Sequence, residues 1–299
     1  MGNYDIERIY NGGGVIMQNK NVIITGATAG IGLETARALA KQGANVYIHG
    51  RNKEKAQKAV DDIIATTGNK NVSYFTADLS SQKEVRRLAD EVKAKLDRLD
   101  VLINNAGAAF EKHELTEDGI ELTLANNHLS YFLLTNLLLD LLKASAPARI
   151  VNVASHSHYS GKFNFDDINM QRGYSIMKAY ERSKLGNVLF TLELAERLKA
   201  TGITANSLHP GVVKTGIADK HTGKLVQLAW RIFEWYQKAI SVEEGAKTSI
   251  YLASSPEVEG ETGKYYDLCK HKWHSKYSQT EGLKEKVWEL SAKLTGLKS

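Results

Sequence analysis

The sequence predicts an α/β fold in which helices cover both faces of a doubly wound parallel sheet of about seven strands. Short apolar, β-branched runs alternate along the chain with longer segments whose apolar residues recur at helical spacing. Such alternation is typical of parallel sheets that are buried on both faces. A glycine-rich turn also joins the first strand to the first helix. Together these features predict one domain over residues 17–299, with residues 1–16 as an N-terminal arm or leader.

The first turn has the composition of a nucleotide-binding loop of the Rossmann type. The strand covers residues 21–24 and the helix follows over residues 33–42. Gly26 allows a tight turn, Gly30 lets a pyrophosphate approach the backbone, and Gly32 lets the helix pack near the strand. The helix N-terminus offers free N–H groups and a positive dipole end. The alternative is merely a tight turn. The residues expected at a cofactor here are Gly26, Thr28, Ala29, Gly30, Ile31 and Gly32.

The second predicted strand, residues 44–49, ends at Gly50-Arg51-Asn52. An Asp or Glu at this tip would bind the 2′-hydroxyl of an NAD ribose, and the tip contains neither. Arg51 suits a 2′-phosphate through a charge-assisted contact, so we expect NADP(H), with Arg51 and Asn52 at its site. The alternative is that Arg51 is a solvated loop residue and coenzyme selectivity lies elsewhere.

The third and fourth strands are predicted to add further walls to this cleft. A surface helix over residues 53–66 precedes the third strand, residues 71–76, which leads to Asp78 and Leu79. Asp78 could face an adenine or help to cap the next helix, where Ser80 or Ser81 is the expected N-cap. The fourth strand, residues 99–103, is followed by a run of small residues that admits a ligand. Its expected cofactor contacts are Asn105, Ala106 and Gly107.

A long helix rich in Leu is predicted over residues 117–144, and it contains Asn126 and Asn127. Asn is unfavourable inside helices, so we expect a special role for one of them. The alternative is a hydrogen-bonded amide in the core.

Ser155 follows the fifth predicted strand, residues 149–153, and is placed to touch a substrate at the carboxyl end of the sheet. His156 and His158 are expected to face solvent rather than bind a metal. After a loop over residues 161–173, the helix predicted for residues 174–200 carries Tyr180 and Lys184. Their i, i+4 spacing puts both on one face, where a cation would lower the pKa of the phenol.

The sixth strand, residues 203–208, leads to Pro210 and Gly211 and then to an excursion over about 212–240. Its apolar helical face fits a lid over an apolar substrate, ordinary packing, or a membrane-touching patch. The chain is predicted to close with a helix over 242–253, a strand over 264–267 and a helix over 281–294.

Bulk composition narrows the class of protein. The net charge is +5, and Lys and Arg are scattered, which indicates a solvated surface rather than nucleic-acid binding. The single cysteine, Cys269, excludes an intrachain disulfide and fits a reducing compartment. No run of 18 uncharged apolar residues and no secretory signal is recognisable. We therefore expect a cytoplasmic protein without a membrane span or a metal site.

These motifs, in this order over residues 18–297, resemble the short-chain dehydrogenase/reductase family. The runs 127–138 and 145–153 and the long gap between Ser155 and Tyr180 are similar to its retinol dehydrogenase-like branch. Three residues depart from that pattern, namely Asn126, Ser130 and Ala154, and the branch's membrane-anchoring N-terminal helix is not recognised.

The resemblance implies roles for the site residues. Tyr180 would be the general acid, Lys184 would lower its pKa and bind the nicotinamide ribose, and Ser155 would donate a hydrogen bond to the carbonyl. Asn127 would hold a water in a proton relay to Lys184. Thr215 would meet the nicotinamide carboxamide, with Pro210, Gly211 and Val213 nearby. Arg51 and Asp78 would meet the 2′-phosphate and the adenine.

The resemblance also implies a function, which is NADP(H)-dependent interconversion of a carbonyl and an alcohol on an apolar substrate. Two alternatives stay open: reduction of a C=C bond, as in protochlorophyllide reductases, and a non-catalytic NADP-binding regulatory protein. Members of the family often pair through the two long helices, here residues 117–144 and 174–200. Their apolar faces fit such a homodimer and fit equally well burial against their own sheet.

Overall fold

The computed structural model describes residues 17–213 and 239–298, and within them one sheet of eight strands runs in the order β3-β2-β1-β4-β5-β6-β7-β8. The first seven strands are parallel and β8 is antiparallel to β7. The doubly wound α/β fold is therefore confirmed. The strands are β1 (Asn21–Ile24), β2 (Asn45–Gly50), β3 (Val72–Thr76), β4 (Val101–Asn104), β5 (Ala148–Val153), β6 (Ile203–His209), β7 (Tyr265–Asp267) and β8 (Lys270–Lys272).

The eighth strand is an addition to the predicted seven. It consists of exposed Lys, His and Lys, so its sequence contains no apolar run from which a strand could be predicted. The turn before it, at Leu268 and Cys269, has positive φ angles of 49° and 58° without the Gly or Asn-Gly that usually marks such a turn.

The helices are α1 (Gly30–Lys41), α2 (Lys53–Thr67), α3 (Gln82–Lys95), α4 (Leu122–Leu124), α5 (Ser130–Leu137), α6 (Leu139–Ala144), α7 (Ile176–Arg197), α8 (Val242–Ser254) and α9 (Leu283–Thr295). Side-chain caps fix several of their starts. Asn52 accepts from the backbone of Lys55 at the start of α2, and Ser81 accepts from Glu84 at the start of α3.

The single helix predicted over residues 117–144 is wrong. Residues 117–121 are not helical, and Gly119 has a φ of +72°. The Glu121 carboxylate caps α4 by accepting from the backbone N–H groups of Thr123 and Leu124, at 2.7 and 2.9 Å. A π-helical turn, Ala125–Leu129, then separates α4 from α5, and Leu138 separates α5 from α6. The spacing of apolar residues does not reveal a single π-helical turn, because it adds only one residue to one turn of the helix.

The core has two layers because alternate strand residues point to opposite faces. Ile23, Leu102 and Ile150 pack towards α3, α5 and α7. Val22, Ile103 and Val151 pack towards α1, α2 and α8. Both faces of the sheet are therefore covered by helices.

The C-terminal helix α9 lies on the face formed by α5 and α7. The Trp288 ring lies 4.8 Å from the Phe132 ring and 5.8 Å from the Phe190 ring, centroid to centroid. The Arg197 guanidinium covers the same indole at 4.2 Å. Part of the surface on which a family dimer is expected is thus covered by the chain itself.

The expectations about the arm, residues 1–16, and about Thr215 and residues 214–238 of the lid lie outside the described residues. The two ends of the lid region meet, since the Ile240 N–H donates to the Val212 carbonyl at 2.8 Å. In residues 17–213 and 239–298, no helix is long and apolar enough to cross a membrane.

Candidate active site

The glycine loop packs directly on the turn that follows β4. The Thr25 hydroxyl accepts from the N–H groups of Asn105 and Ala106, at 2.9 and 3.0 Å. A Cβ on Gly26 would lie 2.8 Å from the Ala106 Cα, and one on Gly32 would lie 2.5 Å from the Asn105 amide nitrogen. Only glycine fits these two positions, so the loop and the turn form two walls of one crevice.

The N-terminus of α1 opens into this crevice and fits an anion. Its N-cap is Ala29, which has no polar side-chain atom to satisfy the first N–H groups. Gly30 has a φ of +60°, a conformation that costs glycine little. A pyrophosphate accepting from these N–H groups would also be favoured by the helix dipole. The residues present therefore fit a dinucleotide.

His49 holds the glycine loop from beneath, a role that the sequence did not predict. Its Nδ1 accepts from the Gly26 N–H at 3.4 Å, and its Nε2 lies 3.1 Å from the Ala77 carbonyl, to which it donates. Burial lowers its pKa to about 4, so the ring is neutral at physiological pH. His49 alternates with apolar residues in β2, which gave no sign that it would be buried.

The tips of β2 and β3 contain the residues expected at the adenosine end. Arg51 is exposed directly after β2, and its charge contributes to the lowered pKa of His49. The Asn52 side chain is a helix cap, and Asp78 accepts from the N–H and hydroxyl of Ser80, at 3.0 and 2.7 Å. The Leu79 side chain is buried in the core, which leaves its backbone at the tip.

Ser155, Tyr180 and Lys184 converge at the carboxyl end of β5. Ser155 caps a short 3₁₀ turn, His156–Tyr159, where its hydroxyl accepts from the Ser157 N–H at 3.2 Å, and it lies close enough to the Tyr180 hydroxyl to lower the pKa of that phenol. The Lys184 ammonium donates to the Val153 carbonyl at 3.0 Å and lies 5.6 Å from the centre of the Tyr180 ring. A hydroxyl pair beside a buried amine can bind a carbonyl oxygen and exchange a proton with it.

Burial sets the protonation of this pair. It raises the pKa of Tyr180 to about 12, against the hydrogen bond from Ser155, which lowers it. It also lowers the pKa of Lys184 to about 7. The pKa of Tyr180 thus lies above its ordinary value, whereas the spacing of Tyr180 and Lys184 predicted a lowered one, because burial disfavours the charged phenolate. Tyr180 keeps its proton at neutral pH.

Asn127 lies in the π-helical turn and clamps the loop after Gly107. Its side chain accepts from the Ala108 N–H at 2.9 Å and donates to the Ala108 carbonyl at 2.8 Å and to the Ser183 hydroxyl at 3.1 Å. A Cβ on Gly107 would lie 3.2 Å from the Lys184 nitrogen and 3.7 Å from the Asn127 amide oxygen. Asn127 thus lies beside Lys184, while its neighbour Asn126 donates to it.

Two features that the sequence did not predict hold the catalytic helix in place. A buried ion pair joins Arg182, between Tyr180 and Lys184 in sequence, to Glu121 at 2.8 Å. A Cβ on Gly161 would lie 2.5 Å from the Glu181 carbonyl, so the loop after Ser155 packs closely on α7. Charged residues in a helix gave no sign of burial, and Gly161 stood in an apparently ordinary loop.

The expectation that both histidines beside Ser155 face solvent is wrong for one of them. His156 is exposed, whereas His158 is fully buried. Within the described residues, no group of three or more His, Cys, Asp or Glu side chains could hold a metal ion.

The last predicted cofactor residues follow β6. Gly211 has a φ of +87°, and a Cβ there would lie 2.6 Å from the Ile240 side chain. Val213 forms a parallel bridge with Ile240. Pro210, Gly211 and Val213 therefore line the same edge of the sheet as the other strand tips.

Comparison with known proteins agrees with this geometry. The family model described as short chain dehydrogenase matches residues 20–225. Retinol dehydrogenase 12 of Mus musculus is 43% identical, over 97% of this chain and 92% of the relative. An uncharacterized protein from Mycobacterium Paratuberculosis is 33% identical with a TM-score of 0.75, covering 94% of this chain and 95% of that one. The Pseudomonas aeruginosa RhlG/NADP active-site complex is 27% identical with a TM-score of 0.67, covering 85% and 96%.

The chain belongs to the short-chain dehydrogenase/reductase family of oxidoreductases. Within that family it is retinol dehydrogenase-like. Its activity is therefore of the class that interconverts alcohols and carbonyls with a nicotinamide cofactor.

Proposed function

We propose that this protein is an NADP(H)-dependent oxidoreductase that interconverts an apolar ketone or aldehyde and the corresponding alcohol. The observation that carries the proposal is the convergence of Ser155, Tyr180 and Lys184 at the end of β5, next to a crevice that fits a dinucleotide. Two hydroxyl groups there can reach one substrate oxygen.

In the direction of reduction, Tyr180 donates its proton to the carbonyl oxygen. Ser155 donates a hydrogen bond to the same oxygen, which stabilises the negative charge that grows there. The nicotinamide, when bound, supplies the hydride. Because burial raises the pKa of Tyr180 to about 12, the proton is present on the phenol at neutral pH. Oxidation of an alcohol needs the deprotonated phenol, so the rate of oxidation should increase as the pH rises.

Lys184 and Asn127 support this transfer. The Lys184 amine lies over the Tyr180 ring and beside Gly107, where it can hold the nicotinamide ribose against the turn after β4. A water held at Asn127 would connect the amine to solvent and return a proton to Tyr180. Asn127 also fixes Ala108, so it keeps the cofactor wall at its distance from α7.

Arg51 supports the proposal of NADP(H) over NAD(H). It stands at the β2 tip where an acidic residue would select NAD, and the RhlG complex contains NADP. We expect Arg51→Asp to weaken NADPH binding by about 10- to 100-fold, since a charge-assisted hydrogen bond is lost. NADH binding should stay the same or improve. Fluorescence titration with both coenzymes measures this.

Lys58→Asp provides the matched control for Arg51→Asp. Lys58 is exposed in the second turn of α2, and its replacement changes the net charge equally. If both variants lose the same NADPH affinity, the effect is general electrostatics and Arg51 does not bind the 2′-phosphate.

An apolar substrate is supported by the retinol dehydrogenase relatives and by the apolar residues that recur at helical spacing in the sequence of residues 225–236, which lie outside the described residues. The complete hydroxyl and amine set favours chemistry on a carbonyl over a regulatory role. Nothing in the described residues favours reduction of a C=C bond. A cytoplasmic location and a homodimer remain proposals, to be tested by cell fractionation and by sedimentation.

Tyr180→Phe tests the catalytic assignment. Removing the proton donor should lower carbonyl turnover by about 10²- to 10⁴-fold. NADPH binding should change little, because the phenylalanine ring keeps the packing. Turnover and coenzyme titration together measure both effects.

Tyr74→Phe is the control for this test, since Tyr74 lies on β3 away from the site and is only half-buried. Its turnover should match the wild type. Unchanged turnover in Tyr180→Phe would show that another group donates the proton.

A further inference from the structure

The His158 ring connects the catalytic serine to the segment after β8. Its Nδ1 lies 2.7 Å from the Ser155 carbonyl, and its Nε2 lies 3.2 Å from the Ser275 backbone nitrogen. A carbonyl can only accept and a backbone N–H can only donate, so Nδ1 carries the proton and Nε2 accepts. The two ring nitrogens therefore make two different hydrogen bonds.

Aromatic side chains enclose the His158 ring. It is fully buried, and its centroid lies 4.1 Å from the Tyr159 ring and 4.6 Å from the Tyr265 ring. Burial lowers the pKa of His158 to about 4, so Nε2 remains an acceptor at neutral pH. A protonated ring would place an N–H group against the Ser275 N–H.

The segment on the other side of the ring is itself ordered by short polar contacts. The Ser275 hydroxyl accepts from the Ser278 N–H at 3.1 Å, and His274 Nδ1 lies 2.7 Å from the Ser278 hydroxyl. The Tyr159 hydroxyl also donates to the Trp273 carbonyl. The turn after Ser155 and the segment 273–278 are thus joined at two points, and His158 provides the buried one.

We propose that His158 is a positioning residue for the reaction: it fixes the Ser155 peptide, and so the direction of the Ser155 hydroxyl, against the segment 273–278. This inference rests on the proposed function. The Ser155 hydroxyl lies close to the Tyr180 hydroxyl and accepts from the Ser157 N–H at 3.2 Å, so a rotation of the Ser155 peptide moves this donor away from the substrate oxygen. A displacement of about 1 Å at such a site can cost about 10²-fold in rate.

Two substitutions separate the two hydrogen bonds. Asn is short enough to place its amide N–H near the Nδ1 position, so His158→Asn keeps the bond to Ser155 and loses the bond to Ser275. Gln reaches the Nε2 position, where its oxygen accepts, so His158→Gln keeps the bond to Ser275 and loses the bond to Ser155. The same two changes at His271, which is exposed on β8, are the controls.

We expect kcat to separate the two variants. His158→Gln should lower kcat by about 10- to 100-fold, while NADPH affinity stays at the wild-type value. His158→Asn, which keeps the bond to Ser155 and loses only the bond to Ser275, should lower kcat less than the Gln variant does. The His271 variants should match wild type. Wild-type kcat in the Gln variant, or equal losses in both His158 variants that follow their loss of thermal stability, would overturn the proposal.

Hydrogen exchange at the Ser275 amide gives a second measurement that needs no substrate. The His158→Asn variant should exchange this amide faster than wild type, and the Gln variant should not. Equal exchange in both variants would overturn the connection to the segment 273–278. If the wild type binds NADPH but turns over no carbonyl, the proposed function fails and with it the catalytic part of this inference, whereas the exchange result still decides the structural part.

Discussion

At the scale of residues, the most unusual group in the site is the buried amine of Lys184, which lies beside the Tyr180 phenol. Lys184 is only 3% exposed, and within residues 17–213 and 239–298 no carboxylate forms an ion pair with it. Its amine donates to the Val153 carbonyl instead. The protein therefore keeps a group whose charged form is costly, which is typical of functional sites.

Lys184→Met should make the protein more stable at acidic pH. Burial lowers the pKa of Lys184 from 10.5 to about 7, so between these values the unfolded chain binds the extra proton. The free energy of unfolding of the wild type therefore rises with pH in this window, and the cost is greatest below pH 7. The gain from Met should reach up to about 5 kcal/mol at the acidic end, less the lost hydrogen bond, and fade towards the alkaline end.

Urea unfolding across this window measures the effect, with Lys178→Met as the control. Lys178 is exposed on the same helix, so its replacement should give a small difference that does not change with pH. A Lys184→Met difference that is also independent of pH would show that the buried amine is not the cause. Activity should fall in the Lys184 variant alone.

Residues that stand at strand tips could be predicted from the sequence, because a strand and its following turn are local patterns. Arg51, Asn105 and Ser155 lie where the pattern placed them. His49 and His158 could not be predicted, since their burial depends on partners 28 and 117 positions away. The pKa of Tyr180 was expected to be lowered, and burial raises it. The spacing of two residues in a sequence carries no information on how deeply they are buried.

At the scale of elements, the π-helical turn Ala125–Leu129 decides which side chains of the helical segment after β4 face the site. Asn127 turns towards Lys184, and His128 on the next position turns towards α7 and α9. A Cβ on Gly186 would lie 2.8 Å from the His128 ring, so α7 approaches this turn as closely as glycine allows. Extra residues in a helical turn are frequent at functional sites because they redirect side chains in this way.

Helix α9 should contribute a large share of stability through one indole. Trp288 is 6% exposed between Phe132 and Phe190. Trp288→Ala should lower the free energy of unfolding by about 3–5 kcal/mol. Urea unfolding, compared with the wild type, gives the value.

Trp273→Ala is the control for that change, because Trp273 is 75% exposed. Its effect should stay within about 0.5 kcal/mol. A Trp288→Ala variant as stable as the control would mean that α9 does not pack as described.

Strands and surface helices were predicted to within a few residues because their apolar patterns are strong and local. The helix over residues 117–144 was not, since the cap at Glu121 and the π-helical turn depend on contacts with α7. Strand β8 was missed because all three of its side chains are exposed and polar, so it has no apolar pattern.

At the scale of the molecule, the strand order brings distant residues to one crevice. The order in which successive strands are added to the sheet reverses between β1 and β4, although the strands themselves stay parallel. Ligands of open α/β sheets bind at such a point. The tips of β1, β4 and β5 therefore meet, although Gly26 and Ser155 are far apart in sequence. This convergence could be predicted from the sequence, because the handedness of parallel crossovers leaves few arrangements.

The return of the C-terminal segment could not be predicted in the same way. Segment 273–278 reaches the turn after Ser155, and α9 reaches the face of α5 and α7, through contacts between residues more than 100 positions apart. Such contacts leave no periodic trace in the chain. They nevertheless place two C-terminal elements close to the catalytic helix.

The most direct test of the central claim is the oxidation of NADPH and of NADH by the wild-type protein with aromatic, aliphatic and retinoid carbonyls, followed by loss of nicotinamide absorbance. We predict turnover of apolar carbonyls with NADPH, and much slower turnover with NADH. Turnover with NADH alone would contradict the role of Arg51 while leaving Tyr180 as the proton donor. Binding of NADPH without turnover of any carbonyl would contradict the proposed function itself.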